Sequence, residues 1–259
     1  MNVMIITGGS SGIGKAAAAL FSKNGYIVYE LSRSGRSDSG IRHIDCDVTD
    51  EQQVLSAVEV VQKEQGRIDL LVSNAGYGIS GAVEFTPTNA AKRQFDVNFF
   101  GALNIVKAVL PVMRSQKSGM IIFTSSVAAV LSIPYQSFYS ASKSAINALA
   151  LALRNEVMPF GIKVSALMPG DVSTGFTAAR AKDSAGEEIY TRQHKAVEAM
   201  ERDERGGMTS DYIARQLLRI ARRRSPAPLY TAGVQYRLFV ALEKLLPKRF
   251  SNWVVGRLY

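Results

Sequence analysis

The chain has 259 residues, of which 47% are hydrophobic and 20% are charged. A chain of this length buries a large apolar core without staples, and an internal disulfide is excluded because Cys46 is the single cysteine. The segment MNVMIITGG has no basic n-region, and no segment approaches about 18 uninterrupted apolar residues. We therefore expect neither a signal peptide nor a membrane span, and a cytoplasmic location.

Strands are predicted where short apolar runs stop at turn residues, and helices where periodic runs follow polar caps. In chain order the predicted strands cover residues 3–7, 26–31, 42–46, 68–76, 119–126, 161–170 and 227–233. The predicted helices cover residues 14–25 with Gly25 as C-cap, 50–65 with a cap at Thr49-Asp50, 87–114 with a break near Asn98, 137–158 and 209–223. Continuous apolar strands that alternate with helices are typical of a parallel sheet covered on both faces. The prediction is an α/β protein: a single-domain doubly wound parallel sheet, the Rossmann fold, over residues 1–259.

The first predicted strand runs into TGGSSGIG, residues 7–14. Glycines at 8, 12 and 14 permit a tight turn and a close backbone approach, and the following helix N-terminus suits a pyrophosphate. The spacing is G-x-x-x-G-x-G rather than G-x-G-x-x-G. Taken alone, the motif leaves open a glycine-rich turn without a ligand.

The pentapeptide YSASK places Tyr139 and Lys143 one helical turn apart, on one face of a predicted helix. An ammonium beside a phenol lowers the phenol pKa from about 10 and allows proton exchange near neutral pH. Ser126 closes a predicted strand thirteen positions before Tyr139. Both would lie at the carboxyl edge of the sheet, where hydroxyl and phenol can reach one carbonyl oxygen. An ordinary surface pair and an ordinary strand-end serine, with Ser125 beside it, are the alternatives.

These motifs occur in the order typical of one family. TGGSSGIG, Asp47-Val48, SNAG at 73–76, Asn98, Ser126, YSASK and PGDVST at 169–174 resemble the short-chain dehydrogenase/reductase family over nearly the whole chain. The resemblance implies hydride transfer between a nicotinamide cofactor and a carbonyl/alcohol substrate. It implies that Tyr139 is the general acid/base and that Ser126 polarises the carbonyl, so both bind the substrate.

The same resemblance assigns the remaining site residues. Lys143 is expected to lower the tyrosine pKa and to bind the nicotinamide ribose. Asn98 is expected to hold a water that links Lys143 to solvent, although it could simply cap a helix segment. The implied cofactor-binding residues are Gly8, Ser10, Ser11, Gly12, Ile13, Gly14, Ser32, Arg33, Asp47, Val48, Asn74, Ala75, Gly76, Tyr139, Lys143, Pro169, Gly170, Val172 and Thr174.

The end of the second strand predicts which nicotinamide cofactor binds. An NAD enzyme usually places an acid there, but this position falls on Ser32, followed by Arg33. An arginine pairs with a 2′-phosphate, and Ser10 and Arg36 could contribute. We therefore predict NADP. If the strand register were shifted, Glu30 would take the position of the ribose-binding acid, and NAD would become plausible.

After PGDVST, residues 172–207 are predicted to form a substrate lid. The mostly apolar pocket walls predict a lipophilic ketone or alcohol, such as a steroid- or retinoid-like molecule, although half of them could be plain core. These candidate walls are Tyr77, Ile79, Val127, Leu131, Tyr135 and Phe176.

The C-terminal part carries all of the excess in the net charge of +9: ten Lys or Arg from Tyr212 onward against one acid, Glu243. A nucleic-acid enzyme more often spreads basic groups over a binding face, so no nucleic-acid partner is expected. Residues 233–259 form a basic amphipathic extension that resembles the hydroxysteroid/retinol dehydrogenase-like branch. It is interpreted as a lid, a packing arm or an interfacial membrane helix with weak membrane-surface contact.

Three further predictions concern metals, assembly and rival functions. No metal site is predicted, since His43 and His194 lack partners at metal spacing and Asp47, beside Cys46, is better explained by an adenine contact. The helix over 137–158 is apolar nearly all round, which favours a homodimer or homotetramer unless the lid and extension of the same chain cover it. The rival functions are a non-catalytic dinucleotide-binding regulator and a peripheral membrane protein that acts through its tail.

Overall fold

The computed structural model describes residues 1–38 and 40–259. The strands are β1 Val3–Thr7, β2 Ile27–Ser32, β3 Ile41–Asp45, β4 Leu70–Ser73, β5 Ile79–Ser80, β6 Gly119–Thr124, β7 Ile162–Pro169, β8 Val172–Ser173, β9 Ala181–Lys182, β10 Met208–Thr209 and β11 Leu229–Ala232. Seven of them form a parallel sheet of order β11-β7-β6-β4-β1-β2-β3. The helices are α1 Gly12–Lys23, α2 Glu51–Gln65, α3 Thr88–Phe95, α4 Gly101–Gln116, α5 Ser137–Val157, α6 Phe176–Ala179, α7 Gln193–Arg205, α8 Ser210–Ala221, α9 Val234–Leu245 and α10 Lys248–Leu258.

The sheet separates two apolar layers, which confirms the predicted doubly wound fold. One layer packs α2, α4 and α5 against the sheet, and the other packs α1 and α8 against its opposite face. The chain winds from β1 through β2 to β3, then returns to β4 on the other side of β1. This change of direction opens a crevice at the carboxyl ends of the strands, the usual ligand position in open α/β sheets.

The predicted break near Asn98 is a π-helical turn, Asp96–Phe100, between α3 and α4. A π turn inserts one extra residue without ending the helix, and such turns are frequent at functional sites. The other caps follow the sequence closely. Asp50 accepts hydrogen bonds from the backbone N–H groups of Gln52 and Gln53, and Gly25 lies one residue beyond the C-cap of α1 with a φ of 82°.

The continuous helical stretch Thr88–Gln116 is long and apolar enough to cross a membrane by length and composition. Its apolar face, however, is used inside the protein: Ile105, Val109 and Met113 are fully buried in the core. Core burial against the sheet accounts for the composition of this helix.

The lid segment and the C-terminal extension are tied to the sheet at several points. Two short parallel pairs, β5–β9 and β8–β10, hold the segment that follows PGDVST. Pro247 separates α9 from α10, and Val240 of α9 packs against Val127 and Met168. Arg192 of the lid donates a hydrogen bond to the backbone carbonyl of Gly256 at 2.7 Å. The extension therefore packs on the body, whereas the proposed division at 172–207 and 233–259 stays a prediction.

Candidate active site

A cavity of about 1290 Å³ opens at the carboxyl ends of the strands. It extends from the glycine loop and the end of β2, past Tyr139, to the lid helix α6. All of the predicted catalytic and cofactor-binding residues line it except Gly14 and Asn98. The structure therefore brings residues from nearly the whole chain to one crevice.

The glycine loop has the backbone geometry that the motif predicts. Gly8 and Gly12 have φ angles of 66° and 49°, which side-chain-bearing residues rarely adopt. A Cβ at Gly14 would collide with the backbone carbonyl of Gly8, so only glycine at this position lets α1 pack this closely against the loop. Ser11, the N-cap of α1, makes no side-chain capping bond. The first N–H groups of α1 therefore suit a phosphate.

The end of β2 has the register that the sequence predicts. Ser32 is its last residue and lines the cavity, and its buried Oγ has no hydrogen-bond partner among the described residues. Arg33 follows, exposed and also lining the cavity, whereas Arg36 is exposed outside it. A hydroxyl without such a partner beside an exposed guanidinium fits the ribose end of a dinucleotide.

Glu30 is shut away from the cavity. Its side chain is 3% exposed, and its Oε2 lies 2.6 Å from Nδ1 of His43. A Cβ at Gly9 or Gly35 would collide with the Glu30 side chain, so these glycines cover it. Burial opposes protonation of His43, but hydrogen bonds to Asp45 and Glu30 outweigh it and raise its pKa. His43 is therefore a partner of Glu30 on the neighbouring strand.

Asp47 forms a turn at the far end of the dinucleotide crevice. Its Oδ1 accepts hydrogen bonds from the backbone N–H and the hydroxyl of Thr49, at 2.9 and 2.8 Å. Burial tends to raise the Asp47 pKa, but these bonds and the positive charge of Arg33 lower it overall. A carboxylate held in this way stays ionised and rigid at the cavity wall.

Ser126 and Tyr139 both line the cavity. Burial is the largest influence on Tyr139 and raises its pKa to about 12, although the neighbouring Ser126 hydroxyl lowers it in part. This direction is opposite to the expected lowering by Lys143. The physical reason is that desolvation of a phenolate outweighs a cation that points elsewhere.

Lys143 is buried below Tyr139 and points to the backbone of β6. Its Nζ donates a hydrogen bond to the carbonyl oxygen of Thr124 at 2.8 Å and lies 5.8 Å from the centroid of the tyrosine ring. Burial lowers its pKa to about 8. A lysine with such a pKa can both hold and release a proton near neutral pH.

Asn98 lies behind the cavity wall rather than on it. Its Oδ1 accepts a hydrogen bond from the backbone N–H of Tyr77, and its Nδ2 donates to the Tyr77 carbonyl and to Ser142. A Cβ added at Gly76 would lie 3.0 Å from Oδ1 of Asn98 and 3.5 Å from Nζ of Lys143. Because Gly76 has no side chain, a space is left between the Asn98 amide and the Lys143 ammonium. A water held there by Asn98 stays a prediction.

The substrate half of the cavity combines apolar walls with charged groups that the sequence reasoning missed. Tyr77, Ile79, Val127 and Phe176 line it as predicted, whereas Leu131 and Tyr135 do not. The Phe176 ring lies 5.6 Å from that of Tyr139.

Two carboxylates, Asp171 and Glu204, also line this half, and both act on the pKa of Tyr139. Arg180, whose side chain is fully buried, pairs with Glu204 and stacks on Phe176. Asp171 belongs to the PGDVST motif and could have been predicted as a site residue. No local sequence pattern predicts Glu204 or Arg180 in the site.

Comparison with known proteins assigns the chain to a family. A family model described as short chain dehydrogenase matches residues 2–185, so the chain belongs to the short-chain dehydrogenase/reductase family. It is an NAD(P)-dependent oxidoreductase that acts on CH–OH/C=O groups. The recognised family is thereby confirmed.

Particular relatives narrow the comparison. The chain is 42% identical to a 3-ketodihydrosphingosine reductase of Bacteroides thetaiotaomicron, over 99% of this chain and 97% of that protein. A solved short-chain dehydrogenase from Streptomyces avermitilis is 28% identical with a TM-score of 0.83, over 99% and 97% of the two chains. Two further structures, each 25% identical, are ElxO with NADP bound, at a TM-score of 0.77, and a Burkholderia phymatum enzyme in complex with NAD, at 0.80. They cover 92% and 93% of this chain, and 99% and 92% of their own.

Proposed function

We propose that this chain is an NADP-dependent reductase of a long-chain ketone with an amino group beside its carbonyl, the substrate chemistry in the name of the Bacteroides relative. The observation that carries the reaction is that Ser126, Tyr139 and Lys143 line one cavity together with the glycine loop. Identity of 42% over nearly the full length of both chains supports the same substrate class.

Tyr139 is suited to donate a proton in the direction of ketone reduction. Burial raises its pKa to about 12, so the phenol is protonated at neutral pH. The oxygen of a ketone under reduction gains negative charge, which two hydrogen bonds stabilise before a proton arrives. Ser126 supplies one of these bonds, and Tyr139 supplies the other and then the proton. The cofactor, when bound, supplies the hydride.

Lys143 supplies the proton that Tyr139 recovers after each turnover, by way of an intervening water, because its Nζ contacts the Thr124 carbonyl and not the phenol. Its pKa of about 8 keeps most of it protonated at neutral pH. The space beside Gly76, between Asn98 and Lys143, is the route by which we expect water to reach it. In this proposal Asn98 is a positioning residue, because it lies outside the cavity and fixes the backbone of Tyr77.

The preference for NADP is supported by Ser32 and Arg33. Both line the cavity, and the unpartnered Ser32 hydroxyl can donate to a 2′-phosphate while Arg33 pairs with its charge. Glu30, the acid that would favour NAD, is buried under two glycines. Solved relatives hold NADP or NAD, so the discriminating residues of this chain carry the argument.

The substrate class is supported by charge in an otherwise apolar pocket. Asp171 and Glu204 line the cavity on the substrate side of Tyr139. Arg180 already pairs with Glu204, so two carboxylates share one buried cation. A protonated amine next to a carbonyl would compensate the second carboxylate, Asp171, whereas the apolar walls suit a hydrocarbon chain. Burial and the neighbouring acid Glu204 raise the Asp171 pKa, although the Tyr236 hydroxyl donates to it at 2.5 Å. An added cation would relieve this repulsion.

Three substrates test the proposal, with NADPH oxidation read by nicotinamide absorbance. They are 3-ketodihydrosphingosine, its N-acetyl derivative and a long-chain ketone without nitrogen. We expect kcat/KM for 3-ketodihydrosphingosine to exceed that for the other two ketones by about ten- to a hundredfold, the effect of one charge-assisted contact. Asp171→Asn or Glu204→Gln should remove that preference. The exposed neighbour Asp203→Asn is the matched control. Equal turnover of all three ketones would refute the amine subsite, and no turnover of any would refute the reductase reaction.

A homodimer or homotetramer belongs to the same proposal. On α5, Ala148, Leu151 and Ala152 are exposed and are covered by neither lid nor extension. Burial within one chain therefore does not account for them, and a second copy would. A cytoplasmic location likewise stays a prediction.

A further inference from the structure

The two C-terminal helices present an apolar surface to solvent. Val234, Leu238, Leu242 and Leu245 of α9 are 81%, 56%, 40% and 82% exposed. At 3.6 residues per turn these positions fall on one stripe of the helix. Tyr236, Val240 and Glu243, which are buried or half-buried, occupy the opposite side against the body. The exposed stripe is thus a second apolar face with no partner in the described chain.

The α10 helix extends this surface with aromatic side chains. Phe250 and Trp253 are exposed and stack with ring centroids 6.0 Å apart, and Arg257 lies over the Trp253 ring at 5.5 Å. Of the 17 large hydrophobic side chains that are exposed among the described residues, eight lie between Val234 and Leu258. That concentration in one tenth of the chain distinguishes a patch from the scattered apolar residues of an ordinary surface.

The exposed charges that the two helices themselves carry have one sign. The exposed basic residues of the two helices are Arg237, Lys244, Lys248, Arg249 and Arg257. The single acid of the two helices, Glu243, is buried and already paired with Lys248. If two copies met through this face, their like charges would repel each other. Apolar side chains among cations, with Trp at the boundary, are instead complementary to an anionic lipid surface.

The surface is held next to the mouth of the cavity. The Tyr236 ring of α9 covers Gly170, its hydroxyl donates to Asp171, and Asp171 lines the cavity. The hydrogen bond between Arg192 and the Gly256 carbonyl fixes α10 to the lid. The apolar stripe therefore points outward from a fixed frame beside the substrate site.

We propose that the outer face of α9 and α10, which we call the tail face (residues 234–258), docks on the surface of an anionic phospholipid bilayer. The apolar stripe enters the boundary between head groups and acyl chains, and the four basic groups other than Lys248, which is paired with Glu243, contact anionic head groups. Docking would place the cavity mouth near the source of a lipophilic substrate. The binding itself rests on the tail face alone and not on the proposed reaction.

Co-sedimentation of the full chain with vesicles tests the proposal, without any activity assay. Vesicles of phosphatidylcholine with phosphatidylserine are compared with phosphatidylcholine alone, at low and high salt. We expect binding to the anionic vesicles at least tenfold above the neutral ones, and weaker binding in high salt. The double variant Leu238→Glu/Leu245→Glu should lose this binding at least tenfold.

The matched control is Leu55→Glu/Val60→Glu, which changes two exposed apolar residues of α2 outside the tail face. Circular dichroism melting establishes that both variants fold. Absence of vesicle binding by the folded parent, or equal loss in both double variants, would overturn the proposal. So would light scattering that finds an oligomer dissolved only by Leu238→Glu/Leu245→Glu, because the tail face would then be an interface between copies.

Discussion

Lys143 lies one helical turn after Tyr139, yet its ammonium donates to the carbonyl oxygen of Thr124 at 2.8 Å and not to the phenol. Its Nζ is 5.8 Å from the centroid of the tyrosine ring. The two side chains therefore lie near each other without a hydrogen bond between the ammonium and the phenol. Burial separates the two pKa values in opposite senses, with about 12 for Tyr139 and about 8 for Lys143. Both groups are protonated at neutral pH, the state that ketone reduction requires.

Replacement of the phenol should stop the chemistry and spare the fold. Tyr139→Phe removes only the phenol hydroxyl of a residue that lines the cavity. We expect kcat to fall by about 10²–10⁴-fold, the usual effect of losing a positioned acid, with NADPH affinity unchanged. Steady-state kinetics and nucleotide fluorescence measure the two quantities. Activity within threefold of the parent would remove Tyr139 from the mechanism.

The rate of reduction should depend on the charge of Lys143. Because burial lowers its pKa to about 8, the ammonium is present below that pH and is lost above it. We expect kcat for reduction to fall above pH about 8, by at most tenfold per pH unit. Lys143→Arg should move this limb to higher pH, since an arginine stays protonated. The measurement compares the shapes of the kcat–pH profiles of the parent and the variant, not their absolute rates. If the fall above pH about 8 is unchanged in Lys143→Arg, a group other than Lys143 causes it.

Cofactor preference should depend on Arg33. Arg33→Asp replaces the cation at the end of β2 with an anion, so NADP affinity should fall by about ten- to a hundredfold while NAD affinity holds or rises. Dissociation constants from fluorescence titration measure the change. Arg36→Asp alters the same net charge outside the cavity and is the control. If both variants lose NADP affinity equally, the effect is general electrostatics and not a phosphate contact.

A methyl group at Gly76 should disturb the proton route. It would lie 3.0 Å from Asn98 Oδ1 and 3.5 Å from Lys143 Nζ, and the backbone of Gly76 is not in the left-handed region. We expect Gly76→Ala to lower kcat about ten- to a hundredfold, because small displacements of catalytic groups are costly. Gly206→Ala, where only ordinary contacts are met, should leave kcat unchanged. Full activity of Gly76→Ala would show that this space has no role.

The exposed side of α5 should be an interface between copies. Leu151 is 41% exposed, with Ala148 and Ala152 beside it. We expect light scattering to detect at least a dimer at micromolar concentration, and Leu151→Glu to dissociate it. Leu55→Glu, at a similarly exposed position on α2, should not. A strictly monomeric parent would contradict the interface.

Short-range sequence patterns predict the fold class, the glycine loop and the end of the second strand at Ser32, because these depend on apolar runs and turn glycines. The resemblance to the family, rather than these patterns, assigned the residues of the reacting centre, and the convergence of strand ends at one sheet edge explains why those residues share a cavity. The pKa of Tyr139 could not be predicted from the sequence, because desolvation depends on what covers the ring, here Phe176 of the lid. The tertiary fold also brings Glu204 and Arg180 beside Asp171 and turns the apolar stripe of α9 outward. These contacts join residues far apart in the chain, and the short-range patterns that predict helices and strands carry no information about such pairings.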